Sequence, residues 1–201
     1  MTIDSVQINH VEILPEKKQN FAHLMISVDD DHPGLTFRIS PKDGGVKIKK
    51  THIEIGEWKV ELPDRNSVRY QGPALLPFQR YRVSIDSELT NGEAAHAEAF
   101  FYTGRKDSPW KGCWISDGNY SFRSPGSPVP MSFRKKFCLG QDAAEGKLYI
   151  TALGIIDIYL DGKAVSDDFF APGFTDYRGF LQYSTYRLGA LRKGNHELLV
   201  T

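Results

Sequence analysis

Short runs of alternating apolar and polar residues recur along this chain of 201 residues, with Gly, Pro, Asn and Asp between them. Alternation with a period of two places every second side chain on the same face of a strand, and runs spaced about 8–12 residues apart are typical of β-sandwiches. One clear run, Arg80–Ile85, puts Tyr81, Val83 and Ile85 on one face. Because almost no segment shows helical periodicity, the sequence predicts an all-β protein.

Turn residues divide the first half into a hairpin-rich unit that closes at Gly104. The predicted strands are Phe21–Val28, Leu35–Ile39, Val46–Ile55, Glu57–Leu62 and Arg80–Ile85. Asn91-Gly92 predicts a two-residue type I′ hairpin turn, since both of its central positions need positive φ. The segment PALLPFQRY at Pro73–Tyr81, followed by a strand and then FYTG, resembles an immunoglobulin or fibronectin III-like sandwich, which we predict over residues 1–104.

Residues 105–109 (RKDSP) are charged and turn-forming and are predicted to be a linker, so a second sandwich is predicted over residues 110–201. It begins at Trp110, and a proline-rich loop is predicted at Ser121–Pro130. The predicted strands that follow are Met131–Leu139, Lys147–Ala152, Ile155–Leu160, Lys163–Val165, Leu181–Leu188 and His196–Val200, with a hairpin turn at Asp161-Gly162. An unpaired final strand would be an aggregation-prone edge, so we expect the chain to be a piece of a longer protein, truncated at its C-terminus.

Composition and charge exclude several classes of protein. Equal numbers of basic and acidic residues, 25 of each, leave no electrostatic footprint for nucleic acid. No apolar run approaches the roughly 20 residues of a membrane span. The first 18 residues lack the features of a secretion signal, which predicts a cytoplasmic location, or secretion if a leader has been removed. Cys113 and Cys138 have no zinc-binding spacing and are predicted to be buried thiols.

Several motifs in the second half occur together in a fixed order. They are WKGCWI from Trp110, YITALG at Tyr149–Gly154, YLDG at Tyr159–Gly162, APGFTDY at Ala171–Tyr177, YSTY at Tyr183–Tyr186, and Gly194-Asn195. In this order they resemble the amino-terminal, non-catalytic sandwich region of the bacterial α-L-rhamnosidases. Two changes depart from the family pattern: Asp161 replaces the usual Asn, and Phe174 stands where Trp is commoner, which removes an indole donor.

The resemblance implies that the second sandwich is jelly-roll-like and precedes a helical catalytic barrel in the same protein. That parent would be a glycosidase acting on terminal α-L-rhamnose, with its catalytic carboxylates in the barrel. A glycosidase site needs two carboxyl groups about 5–9.5 Å apart. Asp157 is predicted on a strand face, Asp161 in a turn and Asp167 in a loop. We therefore predict no catalytic residue in this chain, and an accessory region that supports the downstream catalytic domain.

A rhamnose-containing carbohydrate is the ligand that the loop Asp167–Tyr177 suggests, because the loop combines aromatic rings with acidic groups. The candidate sugar contacts are Phe170, Phe174, Asp176 and Tyr177. Some rhamnosidases carry a calcium-dependent rhamnose-binding sandwich, so calcium is an optional cofactor, although none is required. Its candidate ligands are Asp117, Asn119, Asp167, Asp168 and the carbonyl of Pro172.

Two alternatives stay open at this stage. In the first, the aromatic residues of the loop pack in a core or an interface, and Asp176 accepts backbone N–H groups in an Asx-turn. The chain would then be a purely structural or interaction module with no ligand. In the second, the chain is a free-standing lectin-like module that binds sugar without a catalytic domain.

Overall fold

The computed structural model describes residues 2–14, 27–40, 45–116, 118 and 130–201. These residues form fifteen β-strands and no helix, so the all-β prediction is confirmed. None of the residues that the structure describes belongs to a helix long and apolar enough to span a membrane. The described residues fall into two compact units, one ending at Pro109 and the other running from Trp110 to Thr201.

The first unit is a sandwich of a four-stranded and a five-stranded sheet. Its strands are β1 Ile3–Ile8, β2 Val11–Leu14, β3 Ser27–Val28, β4 Gly34–Ile39, β5 Ile48–Ile55, β6 Trp58–Pro63, β7 Ser67–Arg69, β8 Arg80–Leu89 and β9 Ala94–Thr103. One sheet has the order β2-β1-β4-β7 and the other β3-β9-β8-β5-β6. All pairs are antiparallel except β3 with β9. Strands β6 and β7 therefore lie at the edges of the two sheets.

The inward faces of both sheets meet in one apolar core. Phe37 on β4, Ile53 on β5 and Phe101 on β9 are almost completely buried in it. On β8 Val83 and Ile85 are buried and Arg82 and Asp86 are exposed, as the alternation predicts, but Ser84 is buried as well. The first unit thus has a core large enough to account for its stability by burial of apolar side chains.

The hairpin between β8 and β9 forms at the predicted place, but its predicted turn type is wrong. Glu88 pairs with Ala94, and the N–H of Leu89 donates to the carbonyl of Glu93 at 2.9 Å, so the loop has three residues. Only Gly92 has positive φ, at 83°. This geometry is a type I turn followed by a residue in the left-handed region, the usual form of a three-residue hairpin loop.

Residues 105–109, predicted to be a linker, include a lysine that contacts the first unit. The N–H of Lys106 donates to Asp29 Oδ1 at 3.0 Å, and its ammonium donates to the carbonyl of Leu75 at 2.6 Å. The same ammonium forms an ion pair with Asp31, whose pKa it lowers by hydrogen bonding. These contacts hold the segment against the loops that surround it.

The second unit contains a four-stranded and a two-stranded sheet. Its strands are β10 Phe133–Leu139, β11 Ala143–Ile150, β12 Ile158–Leu160, β13 Lys163–Ala164, β14 Ser184–Leu191 and β15 Gly194–Val200. The larger sheet has the order β10-β15-β12-β13, and β11 pairs with β14 in the smaller one. The Asp161-Gly162 turn between β12 and β13 has positive φ at both residues, 52° and 78°, and so is the predicted two-residue turn.

The prediction that the last strand is an unpaired edge is wrong. Strand β15 lies inside its sheet, because it pairs with β10 along Phe133–Leu139 on one side and with β12 on the other. The chain terminus is paired as well, since Asp157 and Thr201 exchange two backbone hydrogen bonds of 2.9 and 3.0 Å. Among the described residues, the edges of this sheet are β10 and β13.

The core of the second unit is small. Ile158, Val165 and Tyr186 are its buried members, and partly buried residues from both sheets pack against them. Cys113 and Cys138 are free and exposed, so the prediction that both thiols are buried is wrong. Most of the predicted strand Phe21–Val28 and all of the predicted loop Ser121–Pro130 except Pro130 lie outside the described residues.

Candidate functional site

The candidate loop connects β13 to β14 and is anchored in the core at both ends. Val165 is buried, and its N–H donates to the carbonyl of Ile158 at 2.8 Å. At the other end Tyr186 is buried, with Ser184, Ser166 and Asp168 around its hydroxyl. Burial raises the pKa of Tyr186 because the phenolate form would lose its hydration. A rigid frame thus supports the loop residues between these two anchors.

The aromatic residues of the loop point into solvent. Phe169 is 88% exposed and Phe174 is 69% exposed, and Phe170 and Phe180 are similarly open. The interpretation that these rings pack in the core of this chain is therefore wrong for the described residues. Large exposed apolar patches, unlike single exposed rings, are typical of surfaces that contact a partner or a ligand.

Local backbone geometry fixes how the rings are presented. Phe170 has positive φ, at 61°, and the peptide bond between Ala171 and Pro172 is cis. The carbonyl of Ala171 accepts the N–H of Ile156 at 2.9 Å, which ties the middle of the loop to the segment before β12. Gly173 has φ of 100°, and a Cβ there would lie 2.6 Å from the side-chain oxygen of Gln182. Only glycine fits this position without displacing Gln182.

Asp176 is occupied in its own turn, as the Asx-turn alternative predicts. Its Oδ1 accepts the N–H of Arg178 at 3.1 Å, and its carbonyl accepts the N–H groups of Gly179 at 2.7 Å and Phe180 at 3.1 Å. The guanidinium of Arg178 approaches the same Oδ1 at 3.3 Å. This carboxylate therefore shapes the loop, and a sugar hydroxyl would have to compete with these donors.

Tyr177 differs from its neighbours, because its hydroxyl is buried and has no hydrogen-bond partner among the described residues. Its ring stacks on that of Phe174, with centroids 6.4 Å apart and planes inclined by 27°. An unpaired buried hydroxyl costs about 1–3 kcal/mol. A water molecule or a ligand hydroxyl that reached this group would relieve that cost.

The predicted calcium ligands are only partly within the described residues. Asp117 and Asn119 lie outside them. Asp167 is exposed, while Asp168 and Pro172 are half-buried. The N–H of Asp168 donates to Ser166 Oγ at 3.3 Å. Within the described ranges, no group of three or more His, Cys, Asp or Glu side chains is arranged to hold a metal ion.

Residues outside the loop add to the exposed apolar surface of the second unit. Trp110 lies edge-on to Tyr183, with ring centroids 5.9 Å apart and planes at 90°. Trp114 and Ile115 are strongly exposed. From the sequence, the WKGCWI segment was interpreted only as a family motif. The signal that could have indicated its exposure is the absence of strand alternation around these residues.

Comparison with known families and proteins gives a consistent result. Residues 141–201 match the family model described as the alpha-L-rhamnosidase N-terminal domain. An alpha-L-rhamnosidase of Formosa agariphila is 36% identical over 127 residues, which are 59% of this chain and 14% of that protein. One from Alteromonas sp. is 32% identical over 144 residues, 66% of this chain and 15% of that protein. The chain thus matches only a small part of the length of these relatives.

Solved structures show the same fold at low sequence identity. The alpha-L-rhamnosidase from Dictyoglumus thermophilum matches with a TM-score of 0.81 and 17% identity, covering 100% of this chain and 25% of that one. The enzyme from Aspergillus terreus matches with a TM-score of 0.72 and 18% identity, covering 99% of this chain and 23% of that one. Together with the sequence matches, these findings confirm the resemblance on which the sequence analysis relied.

Proposed function

Residues 141–201 belong to the α-L-rhamnosidase N-terminal domain family, and from this premise we propose that the chain is the accessory region of a rhamnose-releasing glycosidase. Its role is to pack against and support a downstream catalytic domain of the same protein. The reacting carboxylates belong to that domain. The proposal concerns the whole protein. The relatives named above are about seven times longer than the segments that match this chain.

The exposed apolar side chains of the second unit are the observation that carries this proposal. Ten large apolar residues are exposed among its described residues, whereas its hydrophobic core has three buried members. The ten are Trp110, Trp114, Ile115, Leu153, Ile155, Phe169, Phe170, Phe174, Phe180 and Leu181. Side chains of this size exposed in such numbers are typical of a surface that another domain covers. Interfaces between domains of one chain are large enough to cover several side chains of this size.

The carboxyl groups of the chain support a non-catalytic role. A glycosidase acid needs a raised pKa so that it is still protonated at working pH. The described carboxyl groups whose pKa departs from its ordinary value are all shifted downward, because each accepts hydrogen bonds. They are Asp4, Asp31, Glu54, Glu88, Asp142 and Asp161. Such groups stay ionised and cannot donate a proton to a leaving oxygen.

A substitution made in two contexts tests the supporting role. In the 201-residue chain, Phe169→Ser should change the free energy of unfolding by less than about 0.5 kcal/mol, since the ring is exposed. In the protein that also carries the catalytic domain, it should cost about 1.5–3 kcal/mol, the value of a buried Phe side chain. Thermal unfolding of both proteins measures the difference.

Leu76→Ser is the matched control, because Leu76 is an exposed apolar residue of the first unit. It should have the same small effect in both contexts. Hydrogen exchange gives a second readout: amides of residues 166–182 should be protected more strongly in the longer protein. Equal stability effects of Phe169→Ser in the two contexts, together with unchanged exchange, would refute the supporting role.

Carbohydrate binding by the loop is a second candidate function, favoured by the exposed ring of Phe174 beside the hydroxyl of Tyr177, which has no partner among the described residues. Calorimetric titration with L-rhamnose, with calcium and then with EDTA, tests it and the optional cofactor together. Saturable heat that Phe174→Ala removes would support a sugar site. Phe180→Ala, another exposed ring of the same loop, should leave that heat unchanged.

The calcium proposal has its own variants. Asp167→Ala should abolish calcium-dependent heat if the exposed carboxylate is a ligand. Asp168→Ala is a weaker probe, because Asp168 also lies beside the buried hydroxyl of Tyr186. Heat that is identical in calcium and in EDTA would exclude a calcium-dependent site. No heat in either condition would leave the supporting role as the function of the loop.

A further inference from the structure

A cleft in the first unit lies where the two sheets end. It has a volume of about 690 Å³ and is lined by residues of β4, β6 and β7. The last two are edge strands of opposite sheets, so the sandwich is open between them. Its floor is apolar, with Leu35 and Leu62 from the core. Small-molecule sites have volumes of this order and combine an apolar floor with a few polar groups.

Trp58 forms an aromatic wall of the cleft, and its position is fixed by its neighbours. The ring of Tyr70 meets that of Trp58 at 5.0 Å with an angle of 68° between the planes. Tyr70 is itself held, because its hydroxyl donates to the carbonyl of Pro73 at 2.8 Å. A Cβ on Gly72 would lie 2.6 Å from Trp58 Cβ and 2.4 Å from the Tyr70 hydroxyl. The indole is therefore preorganised rather than free to move.

The polar lining of the cleft is basic. Arg65, in the loop between β6 and β7, and Arg69, on β7, both line it, and the described residues that line it include no Asp or Glu. Arg69 is oriented by a hydrogen bond of 2.8 Å from its Nε to the carbonyl of His32. It also lies 3.7 Å from Asp30, which neutralises it only in part. The cleft therefore favours an anion.

A two-residue hairpin turn completes the rim. Asn9 and His10 connect β1 to β2 with positive φ at both residues, 46° and 67°. Asn9 is tied to Gly34 by two hydrogen bonds of 2.8 Å, one through its side-chain oxygen and one through its N–H. This arrangement holds His10 at the cleft, which Arg65 and Arg69 also line.

We propose that this cleft binds an anionic saccharide. The apolar face of a sugar ring would pack on the fixed indole of Trp58, and the guanidinium groups of Arg65 and Arg69 would bind its acidic group. Arginine forms paired, charge-assisted hydrogen bonds with the planar oxygen pair of a carboxylate, and it also binds sulfate oxygens. The site lies wholly within the first unit, so it does not depend on the role of the exposed loop in the second.

The test uses fluorescence of Trp58 in the 201-residue chain. Trp110→Phe and Trp114→Phe leave Trp58 as the single tryptophan, since the sequence has three. The probe is methyl β-D-glucuronide, and methyl β-D-glucoside is the neutral sugar of the same shape. The 6-sulfate of the glucoside distinguishes a sulfate ligand from a carboxylate. We expect a saturable change with an acidic sugar at up to about 10 mM, the range of weak saccharide binding.

Charge-removing variants decide where the sugar binds. Arg65→Gln should weaken binding about tenfold, because a charge-assisted pair is lost. Arg82→Gln is the matched control, since Arg82 is an exposed arginine of β8 paired with Glu98 and does not line the cleft. Binding of either acidic probe that Arg65→Gln weakens and Arg82→Gln leaves intact supports the proposal.

Three results would overturn the proposal. The neutral glucoside could bind as tightly as the acidic probes, or Arg82→Gln could weaken binding as much as Arg65→Gln. A fluorescence that neither acidic probe changes in this concentration range would also refute the site. Circular dichroism of each variant establishes that the fold is retained. Failure here would leave the supporting role of the second unit untouched, since the two tests share no residue.

Discussion

Asp161 and His196 are joined by a hydrogen bond of 2.7 Å between Oδ2 of the carboxylate and Nδ1 of the imidazole. The other ring nitrogen, Nε2, lies 2.7 Å from the carbonyl oxygen of Arg192. Both ring nitrogens thus face acceptors, so the protonated ring donates a hydrogen bond to each of them. Oδ1 of Asp161 accepts the N–H of Glu197 at 2.8 Å. The pair thus ties the β12–β13 turn to the central strand β15.

This pair predicts a pH dependence of stability. The Arg192 carbonyl and then the Asp161 carboxylate raise the pKa of His196 above its ordinary value of 6.5. The contribution of His196 to the free energy of unfolding is therefore complete below pH 6.5 and is lost as the pH rises through the folded-state pKa. His196 and a backbone N–H lower the pKa of Asp161 below 3.8, so its contribution is lost as the pH falls through that lowered value.

The contribution of the pair is therefore largest between the two ordinary values. The melting temperature of the unsubstituted chain should exceed that of His196→Asn more at about pH 5.5 than at about pH 8.5. His96→Asn is the control, because His96 makes a similar 2.7 Å contact with Asp86 but both side chains are more than half exposed. A difference for His196→Asn that is the same at both pH values would contradict the protonated pair.

The Asp161-Gly162 turn predicts a cost for a side chain at its second position. Gly162 has φ of 78°, and a Cβ there would meet no atom within 4 Å, so the only penalty of Gly162→Ala is backbone strain. We expect a loss of about 1 kcal/mol. Gly112→Ala is the control, since this glycine also has open space and no positive φ. Urea unfolding measures both, and equal values would contradict the turn assignment.

Crowding around Gly72 predicts that Gly72→Ala lowers the free energy of unfolding more than Gly162→Ala does. Gly72→Ala would push a methyl group into the rings of Tyr70 and Trp58, and overpacking of this kind costs about 1–3 kcal/mol. The near-ultraviolet circular dichroism should change as the two rings move. Gly140→Ala, at a glycine with open space, should change neither property, and unchanged spectra for Gly72→Ala would refute the close contact.

Exposure of both thiols predicts their reactivity. Cys113 and Cys138 are free and exposed, so both should react with a disulfide reagent in the native protein. The absorbance of the released thiolate should correspond to two groups per chain before any denaturant is added. Cys138→Ser should leave one reactive thiol, and Cys113→Ser likewise. Thiols that react only after unfolding would show that they are buried.

Two similar turn motifs show how much local sequence decides. Asp161-Gly162 forms the two-residue turn that its residues favour, with positive φ at both positions. Asn91-Gly92 does not, because Thr90 beside it is held by the segment before β5. Its N–H donates to the carbonyl of Lys47 at 2.9 Å, and its hydroxyl accepts the N–H of Lys47 at 3.1 Å. A tertiary contact therefore overrides the preference of the dipeptide.

The candidate loop shows the same division between local and tertiary effects. Its composition correctly indicated a surface rich in aromatic rings, and the Asx-turn at Asp176 follows from local residue chemistry. The exposure of Phe169 and the burial of the Tyr177 hydroxyl away from any partner in the described part of the chain depend on the packing of the whole unit. No pattern along the chain indicates whether an aromatic ring that could pack in a core is buried in the folded structure.

The sequence by itself determined the all-β fold and most of the strand positions, because strand alternation and turn residues act over a few neighbouring positions. It also determined the family, through motifs kept in a fixed order. Only the tertiary structure decided that β15 lies inside its sheet, that Asp161 meets His196, and that Trp58 faces a basic cleft. These features join residues distant in sequence, and their partners are selected by the packing of sheets rather than by local preference.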